Sequence, residues 1–473
     1  MKQFDDQLIS GNVVRSVWKL AWPVVLLNLV NGLHGFCDHV LIGQFHGSAD
    51  NAANAAIGVA WQVFLVIVVF IASLFQGMSV LIARYAGQRD REMMSEVAYN
   101  AFLSSVLILW FVVAPVGYLI APYLLNVVQA EPQVIDHALP YLRILFTCGS
   151  PLFIMFMIVG AFQASGDPKT PLMLGIISTI LNIAISAVLI IGIGPFPALG
   201  TIGAALGTVL APLVSVTIAL SLVMRRKMIL QPPARFHLMP NMEIMTSVAR
   251  IGLPTGIQGV LLNLGGVMLL TFIGLLPNSS AAQAAYTICY AQLFSFVTWA
   301  SFALRSASAT VMGQNIGAGK IARGKAAVGV AAVLGLVWAA AIGSLFWLVP
   351  DFLLGLFDAT DEPIFTYAST LLRILAFSGL VLAPTLALTG GIQGAGQTKI
   401  PMFIAFATQI VLLLSICSFF YWQGTLTTTK IWLAIFTVHA VRLMMTWAVF
   451  RTENWAHTKV ELKRSASLAQ KET

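Results

Sequence analysis

The chain has 473 residues, 58% of them hydrophobic and only 9% charged, with a formal net charge of +8 and a pI near 9.4. Soluble domains carry about 25% charged residues, and this much apolar surface cannot be hidden from water, so a soluble protein is excluded and a bilayer becomes the solvent for the outer face. The basic balance does not indicate nucleic acid, because no basic stretch is interleaved with aromatic residues in a soluble segment; it fits Lys and Arg gathered in cytoplasmic loops.

A membrane helix needs about 20 largely apolar residues, and the gaps between charges supply the spans. The first apolar segment is long, rich in Asn and Gly, and lacks a small-residue cleavage site, so it is predicted to be a helix and not a cleavable leader. No Asp, Glu, Lys or Arg interrupts the stretch from Asp50 to Arg84, nor those from Glu96 to Glu131, Arg143 to Asp167, Lys325 to Asp351, Arg373 to Lys399 and Lys399 to Lys430. Two gaps are long enough for two helices each. Lys169 to Arg225 is broken by the Gly- and Pro-rich run 192–200, and Arg250 to Arg305 by 277–280, both turn chemistry. The spacing predicts helices over 16–45, 54–83, 97–121, 138–164, 170–193, 200–224, 249–276, 282–311, 326–349, 366–391, 400–422 and 431–450.

Twenty-one of the 26 Lys and Arg then fall on one side, and Lys430 stands alone in an opposite-side loop. Arg143, Arg305, Arg373 and Arg442 fall within or near helix ends. The opposite loops hold Glu131, Asp136, Asp351, Asp358, Asp361 and Glu362. This asymmetry predicts cytoplasmic termini in a multi-pass protein of a plasma membrane, the bacterial inner membrane by expectation. Every loop is short, which leaves no room for a soluble catalytic domain, and there is no phosphate-binding Gly-rich loop for ATP. The expectation is a transporter and not an enzyme. Cys37, Cys148, Cys289 and Cys417 are scattered in apolar stretches with no paired spacing, and read as small buried hydrophobes.

The chain repeats itself. Residues 160–171 (GAFQASGDPKTP) return as 390–401 (GGIQGAGQTKIP), and 142–145 (LRIL) as 372–375, both 230 apart. Lys19, Pro23 and Gly43 match Arg250, Pro254 and Gly274 at 231. An even number of helices separates the copies, so the halves share one orientation and are parallel repeats. The expected fold is an all-α integral membrane protein of about twelve transmembrane helices in two pseudo-symmetric six-helix lobes. Its parts are an N-lobe over 1–224, a cytoplasmic linker over 225–246, a C-lobe over 247–452 and a cytoplasmic tail over 453–473. Solute sites in such carriers lie at the interface of the repeats.

Of the 18 acidic residues, only Asp38 falls well inside a span. An intramembrane carboxylate is costly and marks function by default. Asn31, His34 and Asp38 share one helix face, and Asn28 extends it by a turn. At the 231 offset these become Gly259, Leu262, Gly265 and Leu269, so ion coupling is expected in the first lobe alone. Asn and His on such a helix also serve as plain interhelical hydrogen-bond glue.

The ordered set Pro23…Asn28…Asp38…Ile42-Gly43-Gln44, Ala86-Gly87-Gln88, the 166–171 loop and Gly252-Leu253-Pro254 resembles the multidrug and toxic compound extrusion (MATE) family over essentially the whole chain. That resemblance implies a secondary antiporter that expels organic, often cationic, amphipathic compounds in exchange for protons or sodium ions. Family members often show Asn-x-x-x-Asp in the fifth helix and a Thr in the sixth, around a cation beside the first-helix acid. Here Asn182 matches, Ser186 replaces the second acid, and Thr208 matches the Thr. The implied coupling set is Asp38, Asn182, Ser186 and Thr208, with Na⁺ at Asp38, Asn182 and Thr208 as one option. Losing a carboxylate weakens the pull on a hard cation, so the proton is preferred over Na⁺. The seventh helix lacks the acid of one family branch, which places the chain nearer the bacterial and archaeal branch without it.

Candidates for lining the substrate cleft are Asn28, Asn31, His34, Gln258, Asn263, Tyr290 and Gln292, with Gln76, Gln283 and Arg305 as weaker ones. Arg305 reads as snorkelling to the cytoplasmic side. Pro151, Pro212, Pro254 and Pro384 are candidate helix kinks. The expected partners are small organic substrates and the bilayer, with no cofactor, and the protein is expected to work as a monomer. Two other readings stand beside antiport: a flippase for lipid-linked saccharides or polar lipids, and a channel or non-transport membrane protein. A flippase for phosphate headgroups would need several basic residues in its cavity, and a pore would not need one asymmetric carboxylate.

Overall fold

The computed structural model describes residues 4–46, 51–128, 131–357, 359, 361–458 and 460, and the side chains among them except 31–46, 51–55, 66, 70, 72–74 and 127. These residues form twelve long helical runs and no strand. They are α1 (Val13–His46), α2 (Asn51–Gln88), α3 (Arg91–Asn126), α4 (Pro132–Cys148 and Ser150–Ala164), α5 (Lys169–Ile191) and α6 (Thr201–Met224). The second half gives α7 (Met242–Gly274), α8 (Ser279–Leu293 and Ser295–Gly317), α9 (Ile321–Leu348), α10 (Ile364–Gly394), α11 (Lys399–Trp422) and α12 (Thr428–Thr452). Nine of the described helices are long and apolar enough to cross a membrane unbroken, and α4 and α8 qualify as bent pairs. The expected breaks fall where turn chemistry put them. Gly192 and Gly200 take positive φ between α5 and α6, and α7 stops at Gly274.

Bends have local causes. α4 turns by 54° at Gly149, where Pro151 opens the following helix and removes an amide donor. α8 turns by 40° after a π-helical segment, Thr287–Leu293, and contains no proline there. Pro212, Pro254 and Pro384 lie inside helices that continue through them. Cys289 and Cys417 are buried as expected, Cys148 is exposed at the α4 bend, and the side chain of Cys37 lies outside the described residues.

The chain divides into two compact units. One contains residues 26–253 with the two chain ends; the other contains 5–25 and 254–459, so the division falls inside α1 and inside α7.

The repeat is visible in conformation as well as in letters. Gly166 and Gly396, 230 apart, have φ of 92° and 89°, and each closes its helix in the same way. The amide of Gly166 donates to Gln163 and that of Asp167 to Phe162; Gly396 and Gln397 repeat this with Gln393 and Ile392. Leu142, Leu145, Leu372 and Leu375 are all fully buried. The intervening arginines also correspond: Arg143 lies 4.4 Å from the Tyr118 ring centre, and Arg373 lies 5.6 Å from that of Trp347.

Without a hydrophobic drive between helices in lipid, close backbone approach at small residues holds them together. In the second unit α10 is the most buried span. A methyl group on Gly390 would stand 2.2 Å from the Arg305 carbonyl oxygen, and one on Gly394 would stand 2.3 Å from that of Ala309. This G-x-x-x-G edge seats α10 on α8. In the first unit the linker packs onto α3. The Gln231 amide donates to Ser95, the Tyr99 hydroxyl to the His237 carbonyl at 2.6 Å, and the Asn241 amide to Asn100 at 2.6 Å. His237 Nε2 pairs with Glu96 at 2.9 Å, and that hydrogen bond raises the imidazole pKa above its ordinary value. An apolar cavity of about 270 Å³ lies in this region, lined by Phe102, Phe162, Leu230, Pro232 and Phe236 among others.

Candidate functional site

In the first unit, α5 and α6 form a hairpin closed by the 192–200 turn. Its inner face carries the polar residues implied for cation coupling. Asn182 and Ser186 are one turn apart on α5, share a face, and are both fully buried. Neither has a hydrogen-bond partner among the described residues: the Asn182 amide nitrogen, the Asn182 oxygen and the Ser186 hydroxyl are all unsatisfied. Leaving such a group buried and unpaired costs about 1–3 kcal/mol each, so three together require an occupant or a partner.

The two helices meet tightly at this level. A methyl group on Gly207 of α6 would stand 2.2 Å from the Ser186 hydroxyl oxygen, so only glycine lets the helices approach here. Thr208, the next residue, is buried, and its hydroxyl donates to the Ala204 carbonyl at 3.0 Å, which leaves its oxygen lone pairs free to accept. The donor set is therefore amide and hydroxyl oxygen, the chemistry that hard cations take. α1 runs alongside: Leu27 reaches to 2.2 Å from where a methyl group on Gly175 of α5 would be. The side chains of Asn31, His34 and Asp38 lie outside the described residues. Asn28 is half-buried and engaged in an interaction.

The second unit holds the remaining candidates, and does not gather them. Gln258 is buried and accepts from Gln393 Nε2 at 2.8 Å, while Gln393 Oε1 accepts from Arg305 Nε at 3.0 Å. Arg305 is thus turned to a glutamine of α10 and does not snorkel; the Gly390 and Gly394 contacts bring that glutamine within reach. Asn263 is exposed and donates to its own helix, at the Gly259 carbonyl. Gln292 is exposed as well. Tyr290 is half-buried and stacks on Tyr286 with ring centres 5.0 Å apart. Among the described residues no group of three or more His, Cys, Asp or Glu gathers as for a metal ion.

One charged residue that the sequence reading did not single out stands mid-helix. Arg442 of α12 is ten residues from the nearer helix end, about 15 Å at 1.5 Å per residue. A signal for it was present, since an arginine inside a 20-residue apolar span is as costly as an acid.

Comparison with known proteins agrees with this architecture. The MatE family model matches the chain twice, over residues 23–188 and 254–418, segments that begin 231 and end 230 residues apart. A probable multidrug resistance protein, YoeA of Bacillus subtilis, is 26% identical, with 83% of this chain and 84% of that protein covered. A probable multidrug resistance protein, NorM of Thermotoga maritima, is 24% identical, with 82% and 81% covered. Among solved structures, the outward-facing conformation of a multidrug resistance MATE family transporter superposes with a TM-score of 0.85 at 19% identity, covering 96% of this chain and 98% of that one. The all-helical fold, the repeated six-helix unit and the double family match agree, and the chain belongs to the MatE family, as a multi-pass membrane transporter.

Proposed function

We propose that this protein expels amphipathic organic compounds by secondary antiport, with a proton or a sodium ion taken at the N-lobe. The observation that carries the reading is the buried, unsatisfied cluster of Asn182 and Ser186 beside Gly207 and Thr208. A transporter needs a site where an ion is bound in one state and released in the other, since a ligand without preference shifts nothing. The Leu27–Gly175 contact supports Asp38 as the missing charge. α1 and α5 are both odd-numbered spans and run in the same direction. Eleven residues further along each lie position 38 and Ser186, about 16 Å on at 1.5 Å per residue.

The names of the curated relatives support efflux of drugs as the physiological class. The driving force is sufficient: one charge moving through 100 mV supplies about 2.3 kcal/mol. With one carboxylate in the set, the proton is the favoured coupling ion. The test is efflux of a fluorescent organic cation from proteoliposomes under an imposed pH gradient without sodium, and under a sodium gradient at fixed pH. Efflux is expected under the pH gradient alone. A strict requirement for sodium would show that neutral oxygens around Asp38 suffice for that ion, and would reverse the preference.

The same reading places both termini in the cytoplasm and has the protein act as a monomer. Topology reporters fused at residue 473 and in the 225–246 linker should then read cytoplasmic, and one near Asp358 should read external. An external signal from the linker would overturn this orientation.

A further inference from the structure

Arg442 has no explanation in cation coupling. It lies on the buried stripe of α12 that contains Trp432, Ile435 and His439, spaced by three and four residues. Its Nε donates to Thr408 Oγ1 at 3.0 Å and its Nη2 to Gln409 Oε1 at 2.6 Å. Both acceptors are neutral, and Thr408 passes its own proton to the Ile404 carbonyl. A guanidinium has five N–H donors, so three have no acceptor among the described residues. No carboxylate among the described residues pairs with it, and the described acids of the second unit (Asp5, Asp6, Asp351, Asp361, Glu362 and Glu453) lie at helix ends or in loops. Leaving such a charge unpaired inside a span costs several kcal/mol.

The surroundings are built, and built only in this lobe. Thr408 and Gln409 lie in a π-helical segment, Phe406–Leu412, and Tyr290, which is within electrostatic reach of Arg442, lies in another, Thr287–Leu293. Such segments re-aim side chains and recur at functional sites. The repeat-equivalent stretches 57–63 and 176–182 are plain α-helix. A methyl group on Gly265 of α7 would stand 2.3 Å from the Gln409 side chain, so a glycine there lets α7 press Gln409 toward the arginine. His439, one turn from Arg442 on the same face, is 5% exposed, stacks on Phe294, and leaves its buried Nδ1 without a partner. Arg442 and Tyr290 themselves are half-buried and not fully sealed into the core. At the 230 offset, Tyr290, Gln409, His439 and Arg442 become Ala60, Thr179, Val209 and Pro212, so the first lobe has no counterpart.

We propose that Arg442, oriented by Thr408 and Gln409 and flanked by His439 and Tyr290, binds an oxyanion, a carboxylate or phosphate on an amphipathic molecule. A guanidinium fork held by two neutral acceptors presents its remaining N–H groups in the geometry that takes such groups bidentately, and His439 Nδ1 is a further donor in the tautomer that places its proton there. The transporter's solutes then include anionic or zwitterionic amphiphiles recognised in the C-lobe, apart from the ion site of the N-lobe. Transport of the bound molecule rests on the antiport reading; its binding does not. The source of the oxyanion is either a free solute or a lipid headgroup.

The test uses the full chain in zwitterionic phosphatidylcholine vesicles, with dansylglycine, an aromatic carboxylate, as fluorescent probe and ethidium as cationic control. Arg442→Gln should weaken dansylglycine binding at least tenfold and leave ethidium binding within threefold; Arg442→Lys, which keeps the charge and loses the fork, should fall between. Glycerol 3-phosphate displacing the probe from the wild type indicates a free solute. Displacement by added phosphatidylglycerol alone assigns the same site to a headgroup. Dansylglycine binding unchanged within twofold in Arg442→Gln overturns the proposal, whereas a wild type that binds dansylglycine but does not transport ethidium under a pH or sodium gradient counts against the antiport reading instead. Should Arg442→Gln fail to fold, thermal stability of the wild type decides: benzoate should raise it above chloride at equal ionic strength, and equal stability in the two salts overturns the site.

Discussion

Asp38→Asn is expected to insert at wild-type abundance and to lower gradient-driven efflux of an organic cation at least tenfold. The substitution keeps the side chain's size and an oxygen, and removes the one intramembrane carboxylate proposed to exchange a proton or hold a cation by charge. By sequence, every other acid falls in a loop, a tail or near a helix end, so none is placed to take over the role inside the membrane. Facilitated counterflow of the same dye, which needs no ion gradient, should persist. Leu269→Asn is the matching control at the repeat-equivalent position. Leu269 is 3% exposed within the C-lobe core, so an asparagine there lowers stability by leaving a buried amide unpaired. It should nonetheless retain the ratio of gradient-driven to gradient-free transport. Initial rates at matched membrane abundance are the readout. Full gradient-driven efflux by Asp38→Asn would remove Asp38 from the coupling mechanism.

The fold was legible because the bilayer imposes one rule on every span. Backbone groups must be satisfied within the helix, so apolar length alone marks the spans and turn residues alone mark the breaks. Gly192 and Gly200 closed the α5–α6 hairpin where the letters placed it. The repeat was legible for a related reason. A loop that needs positive φ at Gly166 needs it again at Gly396, and glycine is the residue that supplies it. The bend of α8 was not legible. It comes after a π-helical segment with no proline, and one extra residue in a turn leaves no trace in hydropathy.

The candidate site was legible in part. Asn182, Ser186 and Thr208 were named through family resemblance, and the first two are among the buried groups that lack partners. Their need of Gly207 was invisible, because close approach of two helices depends on their crossing and not on spacing along either one. Arg442 was passed over for a different reason. Charges served as the markers that delimit spans, so a charge inside a span was counted as a helix-end residue. Arg305 was misread in the same way: its partner Gln393 comes from another helix, brought close by Gly390 and Gly394. In both cases the informative contact joins residues more than thirty positions apart.

The two lobes are polar in different places. Asn182, Ser186 and Thr208 correspond at the 230 offset to Leu412, Ile416 and Val438, while Tyr290, Gln409, His439 and Arg442 correspond to Ala60, Thr179, Val209 and Pro212. One backbone plan thus carries neutral oxygens in the first copy and a cation in the second. At the two proposed sites the ion and the oxyanion would not compete for the same donors.

Ser186→Asp is expected to turn the N-lobe toward sodium. The Ser186 hydroxyl is fully buried and unpartnered, one turn from Asn182, and faces the hydrogen-only side of Gly207. An aspartate here replaces the hydroxyl with two carboxylate oxygens and adds a second negative charge beside the proposed Asp38. At 4 Å and an effective dielectric constant near 20, its attraction for a monovalent cation is about 4 kcal/mol. Taking the carboxylate out of water offsets several kcal/mol of that, and a bound sodium ion recovers it where a proton would only neutralise the group. The net preference should be at least the 1.4 kcal/mol that corresponds to tenfold. The half-saturating sodium concentration for dye efflux should therefore fall at least tenfold relative to wild type. Ser186→Asn, equal in size and uncharged, should not produce that fall. Because a buried unpaired charge can cost about 3–5 kcal/mol of stability, the thermal midpoint supplies a second readout. Sodium should raise the midpoint of Ser186→Asp more than that of the wild type, while potassium at equal ionic strength should not. Equal midpoints in the two salts, together with an unchanged sodium dependence of efflux, would show that Ser186 lies outside the ion path.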